Sequence, residues 1–173
     1  MIEIKRLFTD EIIKRFDGDS LAGAELPGVN WEAANLAGAD LTGANLEGAR
    51  LGGANFEGAT LIYCNLKAAD LTGANLVTAN LSLTRLQGAR LASADLSDAT
   101  LYKAHLENVD AGSANFTGAD LRQARLEGAD FSYGFFTSVD VKGAVFDADT
   151  KFPMLFFDPV GEGAVEAEAG GKA

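Results

Sequence analysis

A bulky apolar residue recurs at every fifth position from Leu21 to Phe146, without a change of phase. Of these 26 positions, here called centres, 23 hold Leu or Phe, and the exceptions are Trp31, Ala111 and Val141. Two residues before a centre, 19 of 25 positions hold Ala. Polar residues flank the centre, and Gly often follows two residues after it. Each repeat therefore reads small, polar, large, polar, Gly.

A period of five fits neither an α-helix, with 3.6 residues per turn, nor a long strand, whose side chains alternate. The chain must instead turn every five residues. A short extended piece points the small and the large residue to one side, and Gly allows the corner that follows. The pattern predicts a solenoid with ladders of Leu, Phe and Ala inside and polar residues outside.

Repeats such as ANLEG at 44–48 and ADLTG at 69–73 resemble the pentapeptide-repeat family, whose consensus is A(D/N)Lxx. The similarity extends over residues 21–146 in unbroken register. It implies an all-β solenoid, a right-handed quadrilateral β-helix with four repeats in each coil of about 20 residues, and hence about six coils. The four-sided shape and the hand are implied by the resemblance alone.

Residues 1–20 are predicted to form a helical cap on the N-terminal end of the solenoid. Thr9 to Glu11 suit a helix start, and Ile12, Ile13 and Phe16 are spaced for one apolar side. Such a cap would cover the exposed strand edges of the first coil. Trp31 is interpreted as part of the core or the cap, because an indole can close the end of the core.

The repeat phase is lost after Phe146, and two further segments follow. Residues 147–160 are predicted to form a capping loop that plugs the last coil with four large apolar side chains: Phe152, Leu155, Phe156 and Phe157. Since the plug satisfies these side chains within one chain, a monomer is favoured over a homodimer through coil ends. Residues 161–173 are rich in Gly and Glu and are predicted to be a flexible acidic tail.

Composition limits the class of protein. The single cysteine, Cys64, stands where Ala usually stands, which predicts a small interior residue and excludes an intramolecular disulfide. No apolar signal region follows Met1, and the apolar runs fall short of the ~20 residues that a membrane span needs. The sequence thus favours a cytoplasmic protein without membrane contact.

No catalytic constellation is found, so the sequence predicts neither an enzyme nor a metal or cofactor site. His105 is the only histidine and occupies an outward position between Arg85 and Arg125 on its predicted ladder, which favours a surface residue. The glycines recur as corners and form no phosphate-binding loop. The net charge of −11 and the lack of a basic patch argue against direct nucleic-acid binding.

One side of the predicted solenoid differs from the others. The first face comprises the outward residues of the repeats centred at 21, 41 and onward to 141. Its formal charge is zero, and it carries four large side chains in three consecutive coils: Ile62, Tyr63, Leu83 and Tyr102. Apolar groups gathered outside a core mark interaction surfaces, so these four residues are the predicted partner site. The alternative is that they are scattered surface apolar residues without a binding role.

Two functions remain open at this level. The first is a non-enzymatic interaction module that serves regulation or scaffolding through an unidentified protein partner; members of the family of this kind regulate cell differentiation in photosynthetic bacteria. The second is a DNA mimic that binds type II topoisomerase (gyrase), as the Qnr and MfpA members do. Charge disfavours the second, because B-DNA carries one negative charge per ~1.7 Å, whereas residues 21–146 hold 14 acids against eight bases.

Overall fold

The computed structural model describes residues 1–153 and 157–167, and everything described is β-structure, turn or irregular chain. Five strands extend over more than one residue: β1 (Ile2–Arg6), β2 (Ile12–Phe16), β3 (Ala34–Asn35), β4 (Val145–Phe146) and β5 (Val165–Glu166). Elsewhere the solenoid is held by single-residue parallel bridges. A repeat of five leaves only one or two extended residues between turns, which is why longer strands do not form.

The parallel bridges join residues 20 apart, from Glu25 with Asn45 to Arg125 with Val145. Backbone hydrogen bonds at these bridges join successive coils: the Asn65 amide donates to the Ala44 carbonyl at 2.9 Å, and the Leu66 amide to the Arg85 carbonyl at 2.7 Å. Four repeats therefore make one coil, as the resemblance implied. Asn65, for example, forms a bridge with Asn45 of the coil before and another with Arg85 of the coil after.

Each repeat ends in a tight turn that the sequence pattern explains. The Ala74 amide donates to the Leu71 carbonyl at 3.0 Å, and Gly73, inside this turn, has a φ of +65°. Glycine is the residue that adopts a positive φ without a Cβ clash. The Asp or Asn before a centre also supports the turn: Asp70 Oδ1 accepts a bond from the Thr72 amide at 3.0 Å. Such side-chain bonds to the backbone favour Asp and Asn in turns.

The core is the predicted pair of ladders. Leu66 and Cys64 are fully buried, and Trp31 is 1% exposed. Burial raises the pKa of the Cys64 thiol to about 12, so this cysteine is an inert interior residue. In one repeat Val109 precedes Ala111, and both are buried. The small-then-large order is reversed there while the total side-chain volume is nearly kept, a change that close-packed interiors tolerate.

The N-terminal cap is a β-hairpin, and the predicted helix over residues 1–20 is wrong. β1 pairs antiparallel with β2 on one side and with β3 of the first coil on the other. Phe16 packs edge-on against Trp31 with ring centroids 5.9 Å apart. A helix satisfies its backbone groups internally, whereas a strand can bond to the open edge of the first coil. The edge therefore selects a strand.

The C-terminal end is closed by aromatic side chains. Lys151 forms a bridge with Asp130 and so extends one side of the solenoid. Phe152 stacks on Phe131 at 5.8 Å, and Phe157 packs against Phe136 at 4.9 Å. Of the four predicted plug residues, Phe152 and Phe157 are thus placed on the core, while Leu155 and Phe156 lie outside the described residues.

Part of the expected flexible tail instead forms a short strand, β5, that pairs with the solenoid. β5 pairs in parallel with β4, and Ala164 is 7% exposed. The β4 edge offers unpaired backbone groups, and Gly163, with a φ of +90°, permits the turn that returns the chain to this edge. The expectation for 161–173 therefore differs from the structure over 161–167, and residues 168–173 lie outside the described part.

Leu66→Ala is expected to lower the free energy of unfolding by ~2–5 kcal/mol, because the side chain is fully buried and its loss leaves a cavity. Urea denaturation followed by circular dichroism measures this change. Thr117→Ala, at an outward position, is the control and should change stability by less than about 0.5 kcal/mol. Equal stability of the Leu66 variant and the wild type would contradict the assignment of the interior.

Lys151→Gln is expected to weaken the acid dependence of stability. The hydrogen bond from Lys151, 2.7 Å from Asp130, and that from Ser132 lower the pKa of Asp130 from 3.8 to about 2. A lowered folded-state pKa stabilises the fold above the unfolded value, and this contribution is lost as pH falls from about 4 to 2. Urea denaturation across that range should show a shallower fall for the variant than for the wild type; parallel curves would contradict the coupling.

Candidate partner-binding face

The first face has an unusual series of residues at its turn corners. The residue two after each centre from Leu21 to Val141 has a positive φ, and four consecutive coils of this face place a large side chain there. Their φ angles lie between 56° and 59°: Tyr63, Leu83, Lys103 and Gln123. Gly43 and Gly143 hold the same position in the coils on either side.

A positive φ is unfavourable for a residue with a side chain, by roughly 1–2 kcal/mol in the left-handed region. On the other three faces this corner holds Gly or a small residue, namely Ala, Ser, Thr, Asn or Asp, with the single exception of Tyr133. Glycine would satisfy the backbone of the first face better than tyrosine or leucine does. The backbone therefore does not explain the choice of Tyr63 and Leu83.

The structure places the four predicted site residues on adjoining coils. The Tyr63 amide donates to the Ser82 carbonyl at 3.2 Å, and the Leu83 amide to the Tyr102 carbonyl at 2.9 Å. Tyr63 is 63% exposed, whereas Ile62, Leu83 and Tyr102 are half-buried. Tyr63 and Leu83 are thus neighbours at successive corners, and Ser82 separates Ile62 from Tyr102 in the next column.

Tyr102 is held by its neighbours more firmly than the sequence indicates. Its hydroxyl donates to Gln123 Oε1 at 3.3 Å. The Lys103 ammonium lies 5.2 Å from its ring centroid, and the Arg122 guanidinium carbon lies 5.8 Å from the same point. Cations at such distances are attracted to the face of an aromatic ring. Tyr102 therefore joins the apolar residues to a cationic region.

This cationic region lines an open groove of about 570 Å³, which the sequence analysis missed. Its walls are formed by five residues: Tyr102, Arg122, Gln123, Lys142 and Gly143. The sequence does place Lys103, Arg122 and Lys142 on this face, but an equal number of acids makes its formal charge zero. The sum hides the concentration of the three cations in adjacent coils.

Arg122 is oriented by two carboxylates. It lies 2.7 Å from Asp120 and 3.7 Å from Asp140. The hydrogen bond from Arg122 holds the pKa of Asp120 below its usual value, and the same bond raises the pKa of Arg122. Asp120 and Arg122 are therefore both charged at neutral pH, and Arg122 is held in place beside the Tyr102 ring.

Other candidate chemistry lies on the surface. His105 Nδ1 lies 3.2 Å from Glu107 Oε1, and Arg125 Nε lies 3.1 Å from the same oxygen, so His105 lies beside the Glu107–Arg125 ion pair. Within residues 1–153 and 157–167, no three His, Cys, Asp or Glu side chains converge as metal ligands. The same part of the chain contains no helix of the length and apolarity that a membrane crossing requires.

The repeats match the family model described as pentapeptide repeats, in eight copies that together extend from residue 20 to residue 147. The matched segments are 20–53, 39–77, 49–88, 79–111 and 112–147. The chain therefore belongs to the pentapeptide-repeat family, whose members fold as right-handed quadrilateral β-helices. Among curated proteins, none matches the sequence significantly.

Solved structures of the same family resemble the chain. A trypsin-treated variant of QnrB1, a plasmid-mediated fluoroquinolone resistance protein, is 18% identical over 86% of this chain and 78% of its own, with a TM-score of 0.60. HetL, involved in heterocyst differentiation regulation in the cyanobacterium Nostoc sp. strain PCC 7120, is 29% identical over 74% of this chain and 69% of its own, with a TM-score of 0.35. The likeness to QnrB1 concerns the fold alone.

Tyr63→Gly is expected to be more stable than Tyr63→Ala by roughly 1 kcal/mol, because the φ of 58° suits glycine and strains alanine. At ordinary exposed positions glycine is the less stable of the two. Thermal melting of both variants measures the difference. The same pair at Tyr133, with a φ of 61°, is a matched control for the conformation and should give the same order; a more stable alanine variant at both positions would contradict the strain.

Proposed function

We propose that the protein is a non-enzymatic interaction module whose first face docks a protein partner in regulation or scaffolding. The observation that carries this proposal is the placement of Tyr63 and Leu83 at strained corners. Backbone strain of roughly 1–3 kcal/mol per residue that gives the fold nothing points to a functional use of the side chain. Tyr63 also remains 63% exposed to solvent, so it contributes little to the core.

The chemistry of the first face suits a protein partner. Tyrosine brings a large contact area with two rotatable χ angles and a hydroxyl that tolerates water when no partner is bound. Leu83 and Ile62 lie beside it and are already half-buried, so they lose little freedom on binding. Pentapeptide-repeat proteins generally act as structural or interaction modules, which agrees with this use of the face.

The DNA-mimic alternative has less support from the surface charges. Several acids that would imitate phosphates are neutralised by bases in the same or a neighbouring coil: Asp70 lies 3.2 Å from Arg90, and Asp120 lies 2.7 Å from Arg122. A mimic of duplex DNA needs rows of uncompensated negative charge. Inhibition of gyrase supercoiling at low micromolar protein would reverse this order of preference.

The test is affinity capture from a cell extract with wild type and with the double variant Tyr63→Gly/Leu83→Gly. Glycine removes the side chains and suits the positive φ, so the fold is kept while the anchors are lost. Loss of an interface anchor commonly weakens binding by ~2 kcal/mol or more, so the double variant should recover at least tenfold less of a specifically captured protein.

Tyr133→Gly is the matched control, since Tyr133 is an exposed tyrosine in the same conformation on another face. It should recover the partner as the wild type does. Equal recovery by the wild type and the double variant, with both folded by circular dichroism, would show that the first face is not the docking site.

A further inference from the structure

The first face changes character along the solenoid axis. Its apolar residues occupy the earlier coils, and the groove beside Tyr102 follows in the later ones. In and beside this groove are three cations, Lys103, Arg122 and Lys142, and two carboxylates, Asp120 and Asp140. Among these five groups of the first face the cations exceed the carboxylates by one, in a chain whose net charge is −11.

The two lysines are the available charges. Arg122 is bonded to Asp120 and lies near Asp140, whereas Lys103 and Lys142 form no ion pair among the described residues. The Gln123 amide adds a donor, because its Oε1 is occupied by the Tyr102 hydroxyl and its Nε2 is left to donate. Lys142 in the groove wall, Lys103 beside Tyr102 at its rim and the Gln123 amide therefore offer two ammonium groups and one amide donor. These donors suit a group that only accepts hydrogen bonds.

We propose that the groove binds the carboxylates of an acidic, extended segment of the partner protein, and that an apolar side chain of this segment packs on Tyr63 and Leu83. This inference rests on the proposed function and names the chemistry of the partner. Carboxylates are acceptor-only groups that pair with ammonium and amide donors. Opposite charges at an interface speed association and select among partners.

The dimensions define the arrangement of the segment. Coils lie ~4.8 Å apart, so the three coil steps from Leu83 to Gly143 cover about 14 Å. An extended chain advances about 3.3 Å per residue, so about four or five residues cover this distance. The partner segment should carry an apolar residue within about five residues of at least two Asp or Glu, in either order along the chain.

A nucleic-acid ligand is disfavoured, although phosphates are also acceptors. The net charge of −11 repels a polyanion at long range, and the groove and its rim hold only three cations. An acidic protein segment brings fewer charges and supplies the apolar group for which Tyr63 and Leu83 are placed. An acidic protein segment therefore suits both parts of the first face, the apolar residues and the groove.

The probe is a library of random dodecapeptides displayed on phage and selected on the full chain. Selected peptides are expected to combine an apolar residue with two or more Asp or Glu in the predicted spacing. A synthetic, fluorescein-labelled copy of the most enriched peptide then serves in anisotropy titrations. Its affinity should fall with rising salt and should drop roughly three- to tenfold for Lys103→Gln/Lys142→Gln, as expected for two exposed charge pairs.

Lys67→Gln is the matched control, because Lys67 lies on another face and likewise forms no ion pair among the described residues; it should bind as the wild type does. Peptides whose affinity falls for Tyr63→Gly/Leu83→Gly but not for Lys103→Gln/Lys142→Gln would support the docking function and overturn the specificity for acidic segments. The proposal would also be overturned if the selection gave no binders or if the selected peptides were not enriched in Asp and Glu. A third contradicting result would be that a labelled dT oligonucleotide binds in preference to the peptide and that its binding depends on the two lysines.

Discussion

The structure depends on one interaction, the backbone hydrogen bond between residues of successive coils. The Leu71 amide and the Arg90 carbonyl are 2.7 Å apart, and such pairs recur in every regular repeat. Because both partners are main-chain groups, the bond restrains the spacing of the coils and leaves the outward side chains free to vary. The ladders of Leu and Ala follow from it, since stacked coils place equivalent residues in contact.

The sequence was informative wherever this interaction repeats. The unbroken period located the interior, including Cys64 and Trp31, because each position inherits its orientation from its place in the repeat. Outside the repeats, the position of a residue in the sequence does not determine the orientation of its side chain. The spacing of Ile12, Ile13 and Phe16 suits one side of a helix, yet the residues form β2 and end in a strand whose Phe16 reaches Trp31. The open edge of the first coil favours a strand over a helix here. Such an edge exists only in the folded protein, so a local sequence pattern cannot reveal it.

Some features of the candidate face could likewise be predicted from the sequence, and others could not. The adjacency of Tyr63 and Leu83 was predictable from the coil length alone, and the absence of glycine at their corners can be read directly from the repeat. The role of Tyr102 was not predictable, because it depends on the side-chain positions of Lys103, Arg122 and Gln123 around its ring. Side-chain conformations of charged residues depend on their neighbours, as Arg122 does on Asp120 and Asp140.

A solenoid can accept such a face because its stability is close to a sum of repeat and neighbour terms. Strain of roughly 1–2 kcal/mol at one corner is local, and the buried ladders above and below compensate for it without a change of backbone. The corners with positive φ are therefore positions where a large side chain can be introduced without altering the interior. Tyr63, which is 63% exposed, shows that a large side chain at such a corner remains accessible to a partner. The concentration of Tyr63, Leu83, Lys103 and Gln123 on four successive corners of one face thus combines the exposure that binding needs with a scaffold that binding does not have to deform.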